Sequence, residues 1–173
     1  NNFALTGATS NWIASTAWNT WLGAINNNYA TATNWQLGTV PTANDNIVIP
    51  TGASNLPVTV TTAQGFYNAQ IQSAASLTNT NTLSITGNLF NSGTLTSTAG
   101  TVAYTGTTPQ TIAASTFAGN TVQEININNT AGVTLAGALN VTGTLTSTSG
   151  TFATGGFLTL KSTSIANTAR IAP

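Results

Sequence analysis

In LTNTNTLSITGNLFNSGTLTSTAGTV, residues Leu77–Val102, the apolar side chains Leu77, Leu83, Leu89, Leu95 and Val102 return every six or seven positions. Further along, Val133, Leu139, Leu145, Phe152, Leu158 and Ile165 keep the same step. Between them lie Thr, Ser, Asn and Gly, which suit bends and turns. Alternating apolar pairs such as Ile47/Ile49, Val58/Val60, Leu83/Ile85, Ile125/Ile127 and Leu139/Val141 carry the period-2 signature of strands. Hairpin strands joined by ordinary loops repeat about every 8–12 residues, so this step is too short for them. It fits a solenoid in which three short strands and three bends make one coil of roughly 18–21 residues. The expected fold is all-β, a right-handed parallel β-helix. A β-sandwich or jelly roll is the alternative that Thr-rich strands also build.

The string GTLTSTAGT at Gly93–Thr101 returns as GTLTSTSGT at Gly143–Thr151. The shift of 143 − 93 = 50 residues corresponds to two and a half to three such coils. No stretch holds a helical i, i+3, i+4 pattern over three turns, and the helix formers Glu, Lys and Arg are nearly absent.

The chain has 173 residues and four charged side chains: Asp45, Glu124, Lys161 and Arg170. Charged residues make up 2% of it, against about a quarter of an ordinary soluble domain. His, Cys and Met are missing. The zero net charge gives no electrostatic reason to expect nucleic acid or an anionic membrane as a partner. No run approaches the ~18 apolar residues of a membrane span. A chain without Met does not start at its own initiator, which suggests an exported, mature segment; a fragment of a longer chain is the rival explanation. With so little charge to oppose association, a homo-oligomer or fibre is the expected assembly.

Composition divides the chain near residue 40. All four tryptophans (Trp12, Trp18, Trp21, Trp35) precede it, with the run Asn26–Asn28. A solenoid end needs covering, so residues 1–40 are expected to form an N-terminal cap or an intermolecular contact, and residues 41–173 the coils.

Three segments carry a resemblance. TATNWQLGTVPTANDNIVIP (Thr31–Pro50), LSITGNLFNSGTLTSTAGTVAYTGTTPQTI (Leu83–Ile112) and EININNTAGVTL (Glu124–Leu135) resemble the Thr/Asn-rich β-helical repeats of large secreted, adhesin-like surface proteins of Bacteroidetes-type bacteria. The likeness covers residues 31–173. It implies a β-helical stalk or adhesin segment, exported by the type IX route and held at the cell surface. The additional Trp residues at Asn1–Ala30 depart from that pattern.

Catalysis finds few candidates. A glycosidase needs two carboxyls about 5–10 Å apart. Asp45 and Glu124 are the only two acids, and at ~4.8 Å per coil they stand about four coils, or ~19 Å, apart. Triads and zinc sites need His or Cys, and a calcium site needs several carboxylates. The expectation is therefore no enzyme, no cofactor and no metal. Asp45, in PTANDNIVIP, reads as a turn residue bonded to local backbone, and Glu124 as a surface residue able to pair with Lys161.

The leading functional expectation is an extracellular structural or adhesive module. An alternative uses Trp12, Trp18, Trp21 and Tyr29 as a platform for surface glycans, with burial of the indoles in a cap as the competing role. Trp35 reads as core. A third reading is ice binding through TLTST at Thr94–Thr98 and Thr144–Thr148, although the spacing between Thr ladders drifts and Asn and Ser interrupt it.

Overall fold

The computed structural model describes residues 18–165 and 167–172. The strands are β1 (Asn19–Thr20), β2 (Ile47–Ile49), β3 (Val58–Val60), β4 (Gln64–Phe66), β5 (Ala69–Ile71), β6 (Ser76–Asn79), β7 (Thr82–Ile85), β8 (Leu89–Asn91) and β9 (Thr94–Tyr104). After them come β10 (Gln110–Ile112), β11 (Thr121–Asn128), β12 (Val133–Leu135), β13 (Leu139–Val141), β14 (Thr144–Ser149), β15 (Phe152–Ala153), β16 (Leu158–Leu160) and β17 (Arg170–Ala172). All strand–strand ladders among the described residues are parallel, and they stack as a solenoid of about six turns. The parallel β-helix expectation is borne out, and the sandwich alternative is not.

Three faces close each coil. One stacks β1-β2-β5-β8, and a second stacks β3-β6-β9-β11-β13-β16. The third stacks β4-β7-β9 and continues through β11, β14 and β17. The long strands β9 and β11 turn the corner between the second and third faces, so both faces draw on them. Beyond β8 the first face is interrupted, and β10 starts a separate sheet, β10-β12-β15.

Alternate residues of each strand point inward, because successive side chains of a strand face opposite sides. Leu83, Val102, Ile125 and Leu145 form one inward column, and Phe66, Ile85, Tyr104 and Ile127 form its neighbour. These positions are buried throughout. Coil length is regular where the six-to-seven step is regular: Ala69 stacks under Leu89 and Val58 under Leu77. It lengthens from Val102 to Ile125 because eight residues, 113–120, join β10 to β11 where two join β8 to β9 in the coil before.

The two nine-residue copies do not occupy equivalent places. Leu95 of the first stacks on Leu77 in the second face. Leu145 of the second stacks on Ile125 in the third face. The repeated text therefore encodes a strand and its bends, not a duplicated coil.

The parallel ladder reaches back to Asn19, paired with Ile47, so the stacked region begins well before residue 40. Within the first coil, a short 3-10 turn at Ala32–Asn34 brings Trp35 back antiparallel to Trp21. Leu22 N–H donates to Asn34 O at 2.7 Å and Gln36 N–H to Thr20 O at 2.9 Å. This reversed segment occupies the backbone edge of β1, an edge that would otherwise be free to pair with another strand.

Candidate functional site

Trp21, Tyr29 and Trp35 form the interior of the first coil. Trp21 and Trp35 meet edge to face with ring centroids 5.1 Å apart, and Tyr29 meets Trp35 at 4.8 Å. Each polar tip has a partner: Trp21 Nε1 donates to Ser54 O (3.2 Å), Trp35 Nε1 to Tyr29 O (2.8 Å) and Tyr29 Oη to Gly65 O (3.0 Å). All three rings are buried. Burial, with the Asp45 carboxylate adding to it, raises the Tyr29 phenol well above the ordinary tyrosine range.

This placement corrects part of the carbohydrate platform. Trp21 and Tyr29 present no ring face to a ligand, because both are needed to fill the first coil. Trp18 is 41% exposed. Trp12 lies outside the described residues. Exposed aromatics that the platform did not include are Tyr67, Phe90 and Phe157, on different coils.

The acids are apart and locally engaged. Asp45 Oδ2 accepts from Thr42 N–H and Thr42 Oγ1, both at 2.8 Å, while Asp45 N–H returns a bond to Thr42 O at 3.0 Å. This is the local turn that its sequence suggested. Glu124 Oε2 accepts from Thr101 Oγ1, one coil below, at 2.7 Å. In the ladder β4-β7-β9-β11 Glu124 stands three rungs above β4, and Asp45 lies one rung below β4, where its carbonyl accepts from the N–H of Tyr67, the residue after β4. Four rungs at ~4.8 Å keep the carboxyls beyond the reach of a shared substrate bond. Among the described residues, no three of His, Cys, Asp and Glu come together. A shallow cleft of about 340 Å³ beside β4, lined by Pro41, Thr42, Ala43, Ala63, Gln64, Gly65 and Ser84, holds no ionisable side chain.

The side chains with the densest bonding are amides that the sequence reading did not single out. Buried Gln110 donates through Nε2 to Ile85 O (2.9 Å) and Gly87 O (2.7 Å), and accepts from Gly106 N–H (3.1 Å). Buried Asn129 donates to Gln110 Oε1 (2.8 Å) and Thr108 O (2.8 Å), and accepts from Ala131 N–H. Asn46, Asn68 and Asn88 stack at another corner: Asn68 Nδ2 donates to Asn46 Oδ1, and Asn88 N–H to Asn68 Oδ1, both at 2.8 Å. Coil-length spacing between Asn residues next to strands was the available signal.

The outward side of the second face is a grid of hydroxyls. Thr59, Thr78 and Thr96 stand in register on three consecutive coils, and Ser76 pairs with Thr94 two residues earlier. Thr61, Thr80 and Thr98 follow at the bend. The other TLTST copy pairs instead with β11 and β17 on the third face.

No protein-family model, no curated protein and no solved structure matches this chain.

Proposed function

We propose that the chain is a structural, adhesive solenoid segment of an exported surface protein, built to join further coils or copies of itself into a stalk or fibre. What carries this reading is the last coil. Ile171 is 63% exposed, while Leu145, on which it stacks, is 4% exposed. Leu160 is also exposed, above buried Val141. The strands β15, β16 and β17 offer a parallel backbone edge along the same end, and strand edges recruit partners by main-chain pairing. A chain with only 2% charged residues adds little repulsion against such packing.

Surface location and type IX export rest on the sequence resemblance. A non-catalytic role rests on the composition and on the separation of Asp45 from Glu124. Sedimentation velocity and negative-stain imaging over a concentration series test the assembly. End-to-end oligomers or fibres are expected, and Ile171→Lys should shift them toward monomer. A wild-type chain that remains monomeric at high concentration removes self-assembly and leaves only the stalk.

A further inference from the structure

The second face carries more order than an adhesive surface requires. The pairs Val58/Leu77, Thr59/Thr78 and Val60/Asn79 hold between β3 and β6, and Ser76/Thr94, Leu77/Leu95 and Thr78/Thr96 hold between β6 and β9, with no bulge in either ladder. Inward Val58, Leu77 and Leu95 fix the strands from beneath and are buried. Outward side chains then repeat at ~4.8 Å from coil to coil and about 6.6 Å along each strand. Oxygens on the surfaces of ordinary ice repeat in two dimensions over distances of the same order.

Three further observations bear on this grid. Thr61, Thr78, Thr94, Thr96 and Thr98 carry hydroxyls with no protein partner among the described residues; Thr80 instead turns its hydroxyl onto Val60 O at 2.9 Å, and Thr59, at the first coil's end of the row, donates to Pro57 O at 3.2 Å and accepts from Asn27 Nδ2 at 3.1 Å. Threonine is stiff at χ1, so hydroxyl and methyl hold fixed positions before any ligand arrives. All four charged residues lie off the grid, which therefore lacks groups that would impose their own hydration. The third face differs in its central outward column, which runs Gly65, Ser84, Ala103, Asn126 and Thr146, although Thr82 and Thr101 pair at its edge.

We propose that the β3-β6-β9 face binds the surface of ice, with Thr78 and Thr96 at its centre and Thr94 and Thr98 at its rim. Water ordered by the methyl and hydroxyl rows at the grid spacing merges with the crystal surface. The inference is independent of the assembly proposed above, because it uses a lateral face and no coil end.

The test is ice-crystal morphology and thermal hysteresis of the purified protein, with recrystallisation inhibition as a second readout. The wild type should facet ice crystals and open a measurable hysteresis gap. Thr78→Lys/Thr96→Lys should reduce the gap at least tenfold, while Thr134→Lys, outward on β12, should retain it. Circular dichroism checks that each variant keeps its strands. If the double variant does not fold, Thr94→Tyr at the rim provides the same comparison. A wild type that leaves ice unshaped overturns the proposal, as does a folded double variant with undiminished hysteresis. Binding to crystalline chitin or cellulose without any effect on ice would also overturn it.

Discussion

Asn129 Nδ2 reaches Gln110 Oε1 at 2.8 Å across one coil step, and Gln110 passes the connection down to Ile85 O and Gly87 O on the coil beneath. Three consecutive coils are thus joined by side-chain amides inside the solenoid, near the point where the first face breaks off and β10 starts a new sheet. Both residues are buried, so every bond they make replaces one that water cannot supply.

Removing this link should be costly. Gln110→Leu keeps much of the volume but strands Gly106 N–H and Gly87 O, and takes one bond each from Ile85 O and the Asn129 amide, which keep Thr105 N–H and Thr108 O as partners. A loss of about 2–3 kcal/mol is expected from unsatisfied buried groups. Chemical denaturation followed by circular dichroism gives the shift, and a change under about 0.5 kcal/mol would contradict the buried relay.

The first-coil aromatics should behave oppositely to Trp18. Trp35→Ala removes the ring that touches both Trp21 and Tyr29. Its cost should be about 3–5 kcal/mol, felt first as fraying of the N-terminal coils because each coil leans on its neighbours. Trp18→Ala should cost under about 1 kcal/mol. In a Trp12→Phe background, acrylamide should quench Trp18 readily and leave Trp21 and Trp35 protected.

Alkaline pH should destabilise the fold. Burial raises the phenols of Tyr29 and Tyr104 above their ordinary value. The unfolded chain gives up these protons at about pH 10 while the folded chain keeps them. Stability is therefore at full value below pH ~10 and falls above it, by about 1.4 kcal/mol per pH unit for each tyrosine. Denaturation midpoints measured between neutral and strongly alkaline pH should break downward there. Phenolate absorbance from these two residues should appear only with unfolding.

Gly150 closes the second copy of the repeated string at φ +78°, where a Cβ would collide with the Asn129 carbonyl. Gly150→Ala is expected to cost about 1–3 kcal/mol. Gly38→Ala, at φ +67° with open space around it, should cost less, from the backbone conformation alone. Parallel thermal melts of the two variants separate collision from conformation.

The fold was readable because the six-to-seven step is local: each Leu of Leu77–Val102 reports its own strand. The register of the solenoid is not local. Whether Thr59, Thr78 and Thr96 align depends on the lengths of the bends between them, which composition does not disclose. The Gln110–Asn129 link was hidden for the same reason. In residues 18–40 no period distinguishes Trp18 from Trp21, so which indole faces inward had to wait for the reversed segment at Trp35. Asp45 was legible, since its partner Thr42 lies three residues away.

The different placement of the two nine-residue copies sets a rule for how such a chain can lengthen. Leu95 and Leu145 serve equally well on different sides because every side asks for the same inward aliphatic. Gaining or losing one six- or seven-residue unit therefore leaves the interior satisfied, yet rotates all later units one side onward around the axis. Outward rows would be dealt to new faces without any change in their own letters. In this architecture the identity of a face is a running count kept by the preceding chain, and a deletion far from a surface can erase it.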